Sequence, residues 1–196
     1  MKILYALFSY LVGSIPTGFI LFYLREKKDI RGYGSQATGA TNVLRLTGWG
    51  FGLIVLLADF VKGLFPVWLA VKIFQDHTFA AVCAFLVVVG HCFPVYIKFK
   101  GGKGVATTAG VYAVLALKPL VLSAIIFLPV VLLTRYMSLA SLIAALFFPL
   151  WVYLLGGEME IVGLSAALFL LVASRHRGNI GRLIKGTERK IGGKAR

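Results

Sequence analysis

Acidic residues are scarce in this chain. Its 196 residues include 7 Asp+Glu against 21 Lys+Arg, and charged residues of both signs make up only 14%. Soluble domains run nearer a quarter charged, so an ordinary aqueous globule is excluded. A disordered tail is excluded too, because it needs a polar, charge-rich chain. The two cysteines, Cys83 and Cys92, lie in one apolar run. Nine residues turn a helix by about 900°, so the two face opposite sides and a disulfide scaffold is excluded. No low-complexity segment, long linker or usable internal repeat interrupts the sequence, which reads as a single polytopic membrane domain over 1–196.

What the chain has instead is apolar length and positive charge. It is 59% hydrophobic with a net charge of +14, and its mean hydropathy is +0.89. Apolar runs cover 3–24, 52–74, 78–97, 105–117, 119–134, 138–155 and 160–173. Spanning a bilayer takes about 20 apolar residues, and in lipid an open chain satisfies its backbone only as helix. The expected fold is an all-α integral membrane protein with seven transmembrane helices, or five if a pair of short runs drops out. The first run carries Pro16 and no small-residue cleavage site, so it reads as a retained span, not a leader. Basic residues collect in 25–51, 98–104, 135–137 and 174–196. The positive-inside rule therefore predicts an outer N-terminus and a cytoplasmic C-terminus.

Three of the inner segments have unusual chemistry. The first, Gly32 to Arg45, is rich in Gly, Ser and Thr, and contains Ser35, Thr41, Asn42 and Arg45. Small residues let backbone N–H groups approach an anion, and hydroxyls add donors. The second runs from Gly90 and His91 to Gly101-Gly102-Lys103-Gly104, which opens the fourth apolar helix. A helix N-terminus offers unbonded N–H groups to phosphate, and Lys103 adds a point charge. No Ser or Thr follows the lysine, so this is not a Walker A loop. The third holds Arg175, His176 and Asn179, with Glu188 further on. If helical, His176 and Asn179 share a face at i, i+3.

The chain lacks the His-x4-Asp dyad of many glycerolipid acyltransferases and any paired-Asp magnesium motif. Its basic loops offer almost no acid for a Ser-His-Asp triad. The inner face therefore binds anions but is poor in general bases; His176 or a substrate phosphate must take any proton. Asp59 and Lys62 lie at i, i+3 in the second run, where they can neutralise each other as a buried pair. Gly13, Pro16 and Gly18 mark a kink and close packing in the first.

The stretches GSQATGATNVLR, GHCFPVYIKFKGGKGVATTAG and RHRGNIGRLIKGTE resemble, in order, the three signature motifs of the PlsY family, the bacterial membrane acyl-phosphate:glycerol-3-phosphate acyltransferases. GSIPTG and the Asp59–Lys62-Gly63 step extend the likeness over nearly the whole chain. The main departure is Gln36-Ala37, where a more basic, glycine-containing step is common. The resemblance implies an enzyme of phospholipid synthesis in the bacterial inner membrane, multi-pass, with its active site facing the cytoplasm. It implies acyl transfer from a long-chain acyl phosphate to the sn-1 hydroxyl of glycerol 3-phosphate, giving lysophosphatidic acid and inorganic phosphate. By this likeness Ser35, Lys103, His176 and Asn179 are the catalytic candidates. Thr41, Asn42, Arg45, Gly101, Gly102, Gly104 and Arg175 are the substrate-binding candidates. Asp59, Lys62, His91 and Glu188 are expected in support. No cofactor or metal is expected. The expected partners are the two substrates, membrane lipid and a functional link to a soluble acyl-phosphate-producing enzyme, but not nucleic acid. Two other classes share the basic face and the spans: an organic-phosphate transporter and a lipid-binding structural protein. The first predicts repeat symmetry, and the second leaves Gly101–Gly104 and the His176–Asn179 pair without purpose.

Overall fold

The computed structural model describes residues 1–192, so Lys194 and Arg196 of the basic tail lie outside the described residues. Among the described residues there are ten α-helices, two short 3-10 turns and no strand. In order, the helices are α1 Lys2–Gly13, α2 Thr17–Glu26, α3 Ala40–Thr47, α4 Trp49–Phe74, α5 His77–Cys92, α6 Val105–Leu115, α7 Leu117–Thr134, α8 Met137–Leu154, α9 Met159–Arg175 and α10 Arg177–Ile184. The 3-10 turns cover Ile30–Gly32 and Val95–Ile97. Among the described residues five stretches are long and apolar enough to cross a membrane: Lys2–Glu26, Trp49–Phe74, His77–Ile97, Leu117–Thr134 and Met137–Leu154. A sixth exists if α9 and α10, bent by 64° at their junction, count together. The short runs predicted at 105–117 and 160–173 are helices as well, the first only 11 residues long. An all-helical membrane protein is therefore what the sequence folds into.

The described residues divide into two compact units, 1–111 and 112–192. In the first, α1 packs on α5 and α3 on α4. The α1–α5 crossing is close because both helices carry glycine there. A Cβ on Gly13 would strike the Val87 carbonyl, and one on Gly90 the Tyr10 carbonyl. Small residues at such crossings replace the hydrophobic drive that lipid removes. Pro16 breaks the first run, since it has no N–H to continue the ladder. The α1–α2 junction at Ser14–Pro16 thus leaves the Ile15 carbonyl and the Thr17 hydroxyl turned to other partners, with consequences described below. Gly48, at φ +90°, closes α3 and starts α4. In the second unit α7 packs on α8 and α8 on α9. The Tyr112 and Phe148 rings stack with centroids 3.6 Å apart.

Candidate active site

The first inner segment is a loop held by one side chain. Asn42 is 1% exposed and sits in the first turn of α3. Its Oδ1 accepts from the Ser35 amide at 2.8 Å, and its Nδ2 donates to the Ala37 carbonyl at 2.9 Å and the Tyr33 carbonyl at 3.2 Å. Buried amides are satisfied in this way or are costly. Ser35 is therefore presented by a loop whose shape Asn42 sets. Gln36 follows at φ +60°, a left-handed position that favours glycine. Thr41 and Arg45 are both half-buried on α3. Upstream, Arg31 forms an ion pair with Asp29 at 2.6 Å and donates to the Ile97 carbonyl at 2.9 Å. That bond ties the first segment to the second. The Arg31 guanidinium hydrogen-bonds the Asp29 carboxylate and outweighs burial, holding that carboxyl below its ordinary range.

The second segment wraps around His91. The Gly102 amide donates to the His91 carbonyl at 3.1 Å. A Cβ on Gly101 would strike that same carbonyl and the Pro94 ring, while one on Gly102 would strike His91 Nε2. The glycines are required here by close approach. Gly101, Gly102 and Gly104 are buried and Lys103 is half-buried at the start of α6. One turn on, the Thr107 hydroxyl is buried without a hydrogen-bond partner. Two consecutive left-handed residues, Lys98 at φ +57° and Phe99 at φ +60°, turn the chain into this loop.

Beneath it in the first unit lies a buried polar cluster. Asp59 is 1% exposed and Lys62 and His91 are 7% exposed. Lys62 Nζ pairs with Asp59 Oδ1 at 2.7 Å and donates to the Ile15 carbonyl at 2.8 Å. The Thr17 hydroxyl donates to Asp59 Oδ1, and His91 Nδ1 faces the same oxygen at 3.6 Å. The predicted Asp59–Lys62 pair is present, and it has three further partners, Ile15, Thr17 and His91, that spacing along one helix did not reveal.

In the second unit, His176 sits at the α9–α10 break and Asn179 lies one turn into α10. Both are buried, and Arg175 is half-buried. His176 Nδ1 lies 2.8 Å from the Val172 carbonyl. A carbonyl only accepts, so Nδ1 carries a proton, and in a neutral ring Nε2 is the acceptor nitrogen. Asn179 Nδ2 donates to Glu188 Oε1 at 2.6 Å, and Ser138 Oγ donates to that same oxygen at 2.9 Å. Arg182 Nε binds Glu188 Oε2 at 2.8 Å. Burial opposes the Glu188 charge, but the Asn179, Arg182 and Ser138 hydrogen bonds outweigh it and hold the carboxyl below its ordinary range. Ser138, Arg182 and Thr17 were not predicted. Arg182, six residues from the tail's one acid, was findable; Ser138, 50 positions away, was not.

Among the described residues, no three of His, Cys, Asp and Glu group so as to hold a metal ion. What the segments offer is chemistry for anions: hydroxyl, imidazole and amide donors, guanidinium and ammonium charge, and glycine backbone at a helix start.

Comparison with known proteins agrees in kind. A family model described as Glycerol-3-phosphate acyltransferase matches residues 3–186. The glycerol-3-phosphate acyltransferase of Endomicrobium trichonymphae is 43% identical, covering 97% of this chain and 96% of its own. That of Desulforamulus reducens is 42% identical, covering 95% and 93%. Among solved structures, PlsY, an integral membrane glycerol 3-phosphate acyltransferase, is similar in its glycerol 3-phosphate form. The TM-score is 0.93 at 36% identity, with 97% and 96% of the two chains covered. Its lysophosphatidic acid form gives a TM-score of 0.90 at 36% identity over 97% and 95%.

Proposed function

Because the chain belongs to the glycerol-3-phosphate acyltransferase family, we propose that it moves a long-chain acyl group from acyl phosphate to the sn-1 hydroxyl of glycerol 3-phosphate. The products are lysophosphatidic acid and inorganic phosphate. The observation that carries this reading is the start of α6, where Lys103 and Gly104 stand at a helix N-terminus. Such a helix start suits a phosphate, and both substrates bear one. The solved relatives' glycerol 3-phosphate and lysophosphatidic acid forms support the acceptor and product.

The hydroxyl oxygen attacks the acyl carbon, a new C–O ester bond forms, and the acyl C–O bond to phosphorus breaks. The phosphate is a good leaving group and departs with the hydroxyl proton as hydrogen phosphate. The protein then has only to position the reactants and neutralise charge. We assign Lys103, with the Gly101 and Gly104 backbone, to phosphate and developing oxyanion charge, while Gly102, whose amide is taken by the His91 carbonyl, shapes the loop. Ser35, His176, Asn179 and Arg175 take the acyl phosphate. Arg45 and Thr41 take glycerol 3-phosphate, Arg being the better fork for it. Asn42 serves through the loop it shapes. His176, with its Nδ1–H engaged, holds the tautomer in which Nε2 accepts a proton, which makes it the second choice of base. By the positive-inside rule the N-terminus would lie outside and these segments at the cytoplasmic face of the inner membrane, where a soluble enzyme would supply the acyl phosphate.

Purified protein in detergent, given glycerol 3-phosphate and either palmitoyl phosphate or palmitoyl-CoA with chelator present, tests this. Turnover is expected with the acyl phosphate alone. Turnover with palmitoyl-CoA alone would overturn the donor assignment.

A further inference from the structure

We infer that Asp59, Lys62, Thr17 and His91 form a buried strut that positions the Gly101–Lys103 loop for phosphate, deepening the reading proposed above. A bare ion pair on α4 would need only two residues. Here four groups from three helices meet. Lys62 binds Asp59 at 2.7 Å and the Ile15 carbonyl at 2.8 Å. Thr17 donates to Asp59. His91 Nδ1 stands 3.6 Å from the same carboxylate oxygen. The α1–α2 break thus has a use beyond packing, since it supplies both a carbonyl and a hydroxyl to the pair.

His91 links this cluster to the loop. Its ring fills the space a Gly102 side chain would take, and its carbonyl accepts from the Gly102 amide at 3.1 Å. One edge of the ring therefore faces Asp59 while the residue's other contacts hold the glycine that precedes Lys103. Charges inside a membrane-spanning segment are costly unless paired, and keeping them suggests a task. Asp59 and Lys62 are positioning residues in this account, acting on phosphate only through His91 and the loop.

Three variants separate positioning from mere stability: Asp59→Asn, Lys62→Met and the double Asp59→Asn/Lys62→Met. Two readouts are followed in detergent: melting temperature with and without inorganic phosphate, and turnover. Each single variant leaves one buried charge stranded and should melt lower. The double variant removes both charges and should recover most of the melting temperature. It should still lose about tenfold or more in phosphate affinity and in kcat/KM, because His91 no longer meets a carboxylate and the loop is misplaced. Recovery of phosphate response together with stability would overturn the strut and leave an ordinary ion pair. A wild-type protein whose melting temperature ignores phosphate would overturn it too. If the wild type responds to phosphate but fails to turn over acyl phosphate, the proposed reaction fails while the phosphate response still judges the strut. His91→Gln, which keeps an amide at the ring position, should retain more phosphate affinity than His91→Ala.

Discussion

Two buried carboxylates, one in each unit, are each paired with a cation but differ in the company around that pair. Asp59 lies in a membrane-spanning helix and meets a full positive charge three residues along, plus a hydroxyl and an imidazole edge. Glu188 lies in the tail after α10 and meets two neutral donors, Ser138 and Asn179, with Arg182 at the half-exposed side. Both carboxylate side chains are 2% exposed, so each has a counter-charge built in, Lys62 in the span and Arg182 in the tail. In the tail, directed hydrogen bonds from separate segments join that counter-charge, and the one from Asn179 fixes where its side chain points. One carboxylate holds helices and a loop; the other holds a side chain.

The comparison breaks most sharply at the loop that Asp59 serves. Lys103→Ala should lower kcat by about a hundredfold to a thousandfold while the melting temperature is held, since it removes charge stabilisation and little packing. A steady-state assay beside a thermal melt checks it. Next in size is Lys62→Met alone, which strands Asp59 and should destabilise by about 3–5 kcal/mol. Chemical or thermal unfolding in detergent reads this, and a shift near zero would mean that Asp59 is already neutral.

Glu188 gives a smaller, pH-dependent effect. Its carboxyl is held below the ordinary 4.5 in the folded protein. The stabilisation is therefore complete above that value and lost as pH falls through the lower, folded value. Glu188→Gln should cost about 1–3 kcal/mol at neutral pH and flatten the acid limb of the stability curve. Parallel melts between neutrality and acid compare the two proteins; an unchanged acid limb would show that Glu188 does not set it.

The smallest effect lies in the first segment. Gln36→Gly relieves a left-handed backbone and should add up to about 1 kcal/mol, or roughly 2–4 °C in melting temperature. A fall instead would show that the Gln36 side chain contributes contacts worth more than the relief.

Much of this was legible in the sequence. Apolar runs at 52–74, 119–134 and 138–155 became Trp49–Phe74, Leu117–Thr134 and Met137–Leu154, because hydropathy decides what a bilayer accepts. The three polar segments stood out because Gly, Ser, His and Arg are out of place between such runs. The Asp59–Lys62 pair was legible from spacing on one helix. Thr17 was not, lying 42 positions from Asp59, nor was Ser138, 50 from Glu188. Their hydroxyls have no local pattern; only the folded chain gives them partners. The 8-residue α3 and α10 were hidden too, being too short and polar for hydropathy to mark.

Rapid-quench single turnover tests direct transfer most closely. Enzyme in excess over palmitoyl phosphate is mixed with glycerol 3-phosphate, and lysophosphatidic acid, inorganic phosphate and intact protein mass are followed together. Direct transfer predicts that ester and phosphate appear at one rate with no acyl group on the protein. Phosphate released ahead of ester, with a palmitoyl group trapped on Ser35, would contradict it.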